Sequence, residues 1–280
     1  MTYLLAISGG VDSVVLLHRA VTMNQRCIVA HVDHGIRTDS NDDARFVRGL
    51  ARQYRLPYCG VTLTLGSDAS EEHARDVRYA WLYARAEQYN ATIVTAHHQD
   101  DVIGSIAINL IRGTGWRGLA VMNRSGIVRP MIGWTKTQVY HYAMKHRLEW
   151  AEDSTNHDEK YLRNRLRAGV IDLSIVSRQD VLRRWQQQKL SAKLIDAEID
   201  RQLTWLGNSR YNLIHIPQQT AHELFRKKCK VATGIQLTRP QVERGVLFCK
   251  TARSGAKLQL TTGLEVVVTQ DQFIVSHPRE

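Results

Sequence analysis

Paired cysteines are what this 280-residue chain most plainly lacks: Cys27, Cys59, Cys229 and Cys249 stand far apart, with no C-x-x-C anywhere. Zinc ribbons, thioredoxin-like redox pairs and cysteine-ligated iron–sulfur clusters therefore lose their usual signature, and four ordinary reduced thiols are expected. No apolar run approaches the roughly 18 residues of a membrane span, which argues against an integral membrane protein. The opening Met1-Thr2-Tyr3-Leu4-Leu5-Ala6-Ile7-Ser8 has neither the basic start nor the long apolar stretch of a secretory signal, so a soluble, cytoplasmic chain is expected. The sequence also has no G-x-x-x-x-G-K-[ST], which disfavours a Walker-type NTPase. Internal repeats and low-complexity tracts are missing too. Acidic residues are in deficit, 27 against 38 basic ones, for a formal net charge of +11. Hydrophobic residues make up 43% of the chain, enough for a packed core. The length suggests one large domain or two unequal ones.

Short apolar runs at residues 3–7, Cys27–Val32, Tyr58–Leu63 and Ala91–Ala96 read as strands. Between them lie helical patterns: Val11–Val21, a segment capped by Asp39 or Ser40 and running towards Tyr54, and a long one from Glu71 to Tyr89 behind Ser70. A further helix follows the fourth strand to about Arg112. Strands alternating with helices predict an α/β fold, a mostly parallel sheet with helices on both faces. The character changes near residue 170. Helical apolar spacing at Val181, Leu182, Trp185, Leu190, Leu194, Ile195, Ile199 and Leu203 precedes alternating runs at Lys257–Leu260 and Leu264–Thr269, then Phe273–Val275. These predict a smaller C-terminal α+β domain, so the expected division is 1–172 and 173–280. Residues 1–170 hold 21 basic and 17 acidic side chains and residues 171–280 hold 17 and 10, so the smaller part carries more of the positive excess.

Ser8-Gly9-Gly10-Val11-Asp12-Ser13 joins the first strand to the first helix. Its glycines allow a tight turn and close approach of a ligand. Free N–H groups at the helix start, with the hydroxyls of Ser8 and Ser13, suit an anion. Asp12 would repel phosphate directly, so its expected work is to hold a divalent metal or to fix the loop. No lysine stands near this loop in sequence. Gly113-Thr114-Gly115-Trp116-Arg117-Gly118 matches G-x-G-x-x-G but follows a helical segment, so it reads as a helix end and turn. The second strand ends in His31-Val32-Asp33-His34-Gly35, with His31 and Asp33 on one face. The fourth ends in His97-His98-Gln99-Asp100-Asp101. Each of these two clusters alone is equally well a capping Asp beside surface histidines. Three such clusters at three strand ends mark the carboxyl edge of the sheet as the site.

Ser8–Ser13 resembles the pyrophosphate loop, SGGxDS, of the N-type ATP pyrophosphatases. The remaining motifs narrow the likeness to the tRNA(Ile)-lysidine synthetases. His31–Arg37 resembles their H-V-x-H-G-L-R. Glu71, Arg75, Arg78 and Tyr79 match E-x-x-x-R-x-x-R-Y, and Thr95–Asp101 matches A-H-H-x-D-D. Arg112–Leu119 matches R-G-x-G-x-x-G-L. Arg129-Pro130, Glu152–Asn156 and Arg163–Arg167 follow in the family's order. The likeness covers about residues 3–170; residues 171–280 resemble the linking helices and small second domain, without an additional C-terminal domain.

This resemblance implies an adenine nucleotide alpha hydrolase-like fold and a two-step ligation. ATP adenylates the C2 carbonyl oxygen of the wobble cytidine of tRNA(Ile) with a CAU anticodon, releasing pyrophosphate. The ε-amine of L-lysine then displaces AMP to give lysidine. Ser8, Gly9, Gly10, Val11, Asp12, Ser13 and Asp33 are the implied nucleotide-binding residues, with the amides of Gly9, Gly10 and Val11 on the pyrophosphate. Asp12 and Asp101 would hold Mg²⁺. His97 and Arg165 or Arg167 would stabilise charge near the α-phosphate, so that Asp12, His97, Asp101 and Arg165 form the implied catalytic set. Lysine and tRNA are the implied partners, no membrane is involved, and a homodimer is allowed for.

One departure bears on the amine. The family's H-H-x-D-D-x-x-E-T has Gly104 in place of its glutamate, which is associated with holding lysine. Weaker lysine binding, a substitute carboxylate from Glu71 or Glu72, or another amine donor are the expectations that follow. The run Arg226-Lys227-Lys228-Cys229-Lys230, with Tyr211, Phe225 and Arg239 not far away in sequence, is the candidate tRNA patch; the alternative is a solvated helix face. Rival readings are a tRNA 2-thiolating enzyme, which would need paired cysteines, a metal-dependent phosphoesterase using the His and Asp clusters, and a non-catalytic tRNA-binding module.

Overall fold

A computed structural model describes residues 1–33, 40–63, 71–151 and 173–278; the side chains of residues 40, 41, 71 and 72 lie outside that description. Two compact units divide it, Met1–Lys189 and Leu190–Glu280. In the first, β1 (Thr2–Ala6), α1 (Val11–Thr22), β2 (Cys27–Asp33), α2 (Ser40–Gln53), β3 (Tyr58–Thr62), α3 (Glu71–Gln88), β4 (Ala91–Val94) and α4 (Gln99–Ile111) alternate as expected. A 3-10 turn at Trp116–Leu119, β5 (Ile127–Val128) and α5 (Lys136–Lys145) follow.

All five strands run parallel in the order β3-β2-β1-β4-β5. Alternation along each strand builds two cores from one sheet. Leu5, Val29 and Val94 face α1, α2 and α5, where Val14, Leu17, Val47, Val139 and Ala143 are buried. Leu4, Ala30 and Ile93 face α3 through Tyr79, Leu82 and Ala86. The chain leaves β1 for β2 on one side and later returns to β4 on the other. The crevice at the carboxyl end of β1 is therefore a topological switch point, where open α/β sheets bind ligands.

The helix α6 (Ile175–Leu206) crosses the division between the units, which falls later than the 172/173 boundary read from composition. The difference has a local cause: the first turns of α6 belong to unit one. Arg178 Nη1 donates to Asp100 Oδ1 (2.5 Å), Trp185 Nε1 to the Val121 carbonyl (2.9 Å) and Gln188 Nε2 to the Trp116 carbonyl (3.2 Å). The second unit continues with α7 (Arg210–His215), α8 (Gln218–Thr233), α9 (Arg239–Thr251) and the antiparallel meander β6 (Lys257–Thr261), β7 (Leu264–Val268) and β8 (Phe273–Ser276). Leu224, Phe225, Val242, Val246, Leu264, Val266 and Phe273 fill its core. Among the described residues no helix is long and apolar enough to cross a membrane.

Candidate active site

The glycine loop leaves β1 and enters α1 through Gly9, whose φ of +100° is a conformation that only glycine adopts without strain. Ser13 ties the loop together. Its Oγ accepts from the Ser8 amide (3.2 Å) and the Gly9 amide (3.1 Å) and donates to the Gly10 carbonyl (2.8 Å). The Gly9 amide is thus engaged inside the loop by the Ser13 hydroxyl. The amides of Val11 and Asp12, in the first turn of α1, have no intrahelical acceptor, so they and the helix dipole form the anion-attracting end.

Asp12 is held by a residue that the linear sequence places nowhere near the loop. Lys136 Nζ donates to Asp12 Oδ1 (2.7 Å) and Oδ2 (2.8 Å). Lys136 opens α5 behind Thr135, whose side chain accepts from the Gln138 amide in a capping box. The Lys136 amide donates to Asp100 Oδ2 (2.6 Å), while Arg178 holds the other oxygen of the same carboxylate. Burial opposes ionisation of Asp100. The adjacent His98 imidazole and the bonds from Arg178 and the Lys136 amide outweigh it and hold the carboxyl well below the usual range.

His97 and His98 divide the labour at the end of β4. His98 is buried, with Nε2 at 3.5 Å from both Asp12 Oδ1 and Asp101 Oδ2 and Nδ1 at 3.6 Å from Asp100 Oδ2. Burial lowers its pKa but the three carboxylates raise it more, so the net shift is upward. Asp101 also caps the helix by accepting from the His98 amide (2.9 Å). His97 faces different neighbours. Burial, then the charges of Arg129, Arg78 and Arg75, bring its pKa down to about 4 against the pull of Asp101, and Nδ1 pairs with Thr95 Oγ1 at 2.8 Å. A neutral imidazole beside three arginines results.

The other expected residues are placed less centrally. His31 Nδ1 donates to the Ile7 carbonyl (2.8 Å), since a carbonyl can only accept. Asp33 is buried at the carboxyl end of β2 on the same face. Ser8 is exposed at the loop's mouth. Arg165, Arg167, the other residues of the 152–156 and 163–167 motifs, and His34–Arg37 lie outside the described residues. Gly104 sits in α4 with open space where a Cβ would stand.

On α8 most cations of the basic run have partners. Arg226 pairs with Glu223 (2.6 Å) and Lys227 with Asp200 (2.7 Å). Lys228 bonds the Gly207 carbonyl and lies over the Phe273 ring, and Cys229 is fully buried. Arg239 pairs with Glu243 (2.7 Å). Of this run only Lys230 is exposed.

Sequence reasoning missed Lys136 and Arg178. The T-x-x-Q pattern of Thr135–Gln138 signals the start of α5, but nothing in the sequence says that this start faces the glycine loop.

Comparison with known proteins finds relatives named tRNA(Ile)-lysidine synthase. The chain is 30% identical over 255 residues to a tRNA(Ile)-lysidine synthase of Actinobacillus pleuropneumoniae serotype 3, covering 81% of this chain and 59% of the relative. It is 33% identical over 221 residues to that of Exiguobacterium sibiricum, covering 73% and 53%, and 34% identical over 183 residues to that of Thermotoga maritima, covering 61% and 44%. The chain thus spans about half the length of the curated relatives it matches. Among solved structures, the U34-tRNA thiolase NcsA from Methanococcus maripaludis with its [4Fe-4S] cluster superposes with a TM-score of 0.57 at 18% identity, covering 68% of this chain and 72% of that one, a likeness of fold alone. Residues 1–174 match the family described as the PP-loop domain, and with the glycine loop standing at the switch point of a five-stranded parallel sheet, the chain belongs to that family.

Proposed function

We propose that this chain is an ATP-dependent ligase that joins lysine to C2 of the wobble cytidine of tRNA(Ile), forming lysidine. The observation that carries the reading is the glycine loop itself, closed by Ser13 and opening the Val11 and Asp12 amides onto the crevice. Relatives of that name at 30–34% identity support the substrate. In the first half-reaction the C2 oxygen attacks the α-phosphorus of ATP and pyrophosphate leaves towards the loop, where fixed amide dipoles stabilise its charge. In the second, the amine attacks C2, AMP departs and the amine proton is lost.

His97, neutral at pH 7, donates or accepts one hydrogen bond near the reacting phosphate without adding a charge, while Arg75, Arg78 and Arg129 supply the positive field. Arg165 belongs to the same proposal through its motif. Mg²⁺ is compatible with the residues present: two hard carboxylates, Asp12 and Asp101, flank one imidazole nitrogen. Magnesium prefers one or two protein carboxylates together with substrate phosphate oxygens. When bound it would neutralise phosphate charge.

In this reading residues 1–172 carry the chemistry and residues 173–280 meet the tRNA, in a cytoplasmic protein. Pyrophosphate release from ATP, lysine and a tRNA(Ile) transcript, with mass analysis of the modified nucleoside, tests the proposal. ATP turnover without a lysine adduct would refute it.

Gly104 makes the amine the point to probe. A cation held by one carboxylate fewer loses about 1.5–3 kcal/mol of binding, unless Glu71 or Glu72 replaces it. Open space at the Gly104 Cβ means that Gly104→Glu introduces a side chain without a clash at its root. Its lysine KM is expected to fall at least tenfold; an unchanged KM would show that the amine is held elsewhere.

A further inference from the structure

We propose that Lys136 is the phosphate-binding lysine of this loop, resting on Asp12 and transferring to the β- and γ-phosphates when a nucleoside triphosphate enters. The inference rests on the reading of the loop as a phosphate site, and adds to it a residue from the far side of the sheet's switch point. Lys136 is the first lysine in the chain, so none lies closer to the loop in sequence. Its root is fixed three ways: the Lys136 amide on Asp100 (2.6 Å), the Thr135 capping box, and the Gln99 amide on the Trp134 carbonyl (2.8 Å). Its side chain crosses over Tyr140, with Nζ 4.9 Å from the ring centroid, and ends on both oxygens of Asp12. Asp12 is the second residue of α1, so Nζ already stands beside the helix end whose amides await an anion.

Charge explains the arrangement. A bare Asp12 carboxylate at that helix end would repel a polyphosphate, and Lys136 cancels it in the resting protein. When phosphate oxygens arrive, an ammonium with three donors can exchange one carboxylate oxygen for a phosphate oxygen without leaving its place. The side chain is 17% exposed, so it meets the ligand while little competed for by water.

The 280-residue chain and its Lys136→Met, Asp12→Asn and doubly substituted forms are titrated by calorimetry with inorganic pyrophosphate and with AMP, without divalent cations. Lys136→Met is expected to weaken pyrophosphate binding about ten- to hundredfold, the value of one charged hydrogen bond, and AMP binding less than twofold. Retained AMP binding shows that the variant is folded. The double variant decides the role. If Lys136 only neutralises Asp12, removing both charges restores pyrophosphate affinity and the proposal falls. If it binds phosphate, the double variant stays weak. Unchanged pyrophosphate affinity in Lys136→Met overturns the lysine alone, whereas no binding by the unmodified chain overturns the phosphate-loop reading beneath it.

Discussion

Arg178→Met tests whether the start of α6 is bolted to the active site or merely lies near it. The Arg178 and Asp100 side chains are 9% and 11% exposed, and the Nη1–Oδ1 distance is 2.5 Å. Removing one partner of a buried pair costs about 3–5 kcal/mol, because the other charge stays buried without its counter-ion. Asp100 keeps the Lys136 amide and the adjacent His98, so the lower end, about 3 kcal/mol, is expected. With a urea m-value of about 2 kcal/mol/M, the unfolding midpoint of the first unit should fall by about 1.5 M. Trp185 lies two turns along the same helix and is buried, so its fluorescence reports the loss. The effect must also depend on pH in one direction. Asp100 is depressed in the folded state, so its stabilisation is fully present above the ordinary aspartate pKa of about 4 and is lost as pH falls below it. The gap between wild type and variant should therefore close in acid. Coincident midpoints at pH 7, or a gap that persists undiminished at about pH 2, would refute the reasoning.

His97 should titrate near pH 4 in an NMR experiment. Because its folded pKa is depressed, its contribution to stability is present above about pH 6.5 and declines as pH falls towards 4; a midpoint at or above 6.5 would contradict the burial and arginine field described. Gly245→Ala should destabilise the second unit by about 1–3 kcal/mol in urea unfolding, since a Cβ there would stand 2.5 Å from a ring carbon of the fully buried Phe225. Gly104→Ala, also helical but facing open space, should instead stabilise by about 0.5–1 kcal/mol; equal effects from the two would mean that packing does not distinguish them.

The strands β1 to β4 and their helices were legible because each strand is a short, mostly apolar run, and β1, β2 and β4 lead into the glycine loop or the histidine–aspartate clusters. β5 was not, since two residues carry no period. The glycine loop and both histidine clusters were legible for the same reason: strand ends in a parallel sheet converge on one edge. Lys136 and Arg178 were hidden, being 124 and 78 residues away from the carboxylates they meet. The basic run at 226–230 was legible as a cluster of charge, but its pairing was not. Consecutive charges look like a patch in one dimension, but a helix turns them through about 100° per residue, which here put Cys229 in the core and gave Arg226 and Lys227 their own acids.

Ser13 has a kinetic corollary. One hydroxyl already freezes the shape that a guest would otherwise have to induce, so little chain entropy remains to be surrendered on arrival. Nucleotide capture should accordingly proceed in a single fast phase limited by encounter, with residence time, and not loop closure, setting the difference between tight and weak ligands.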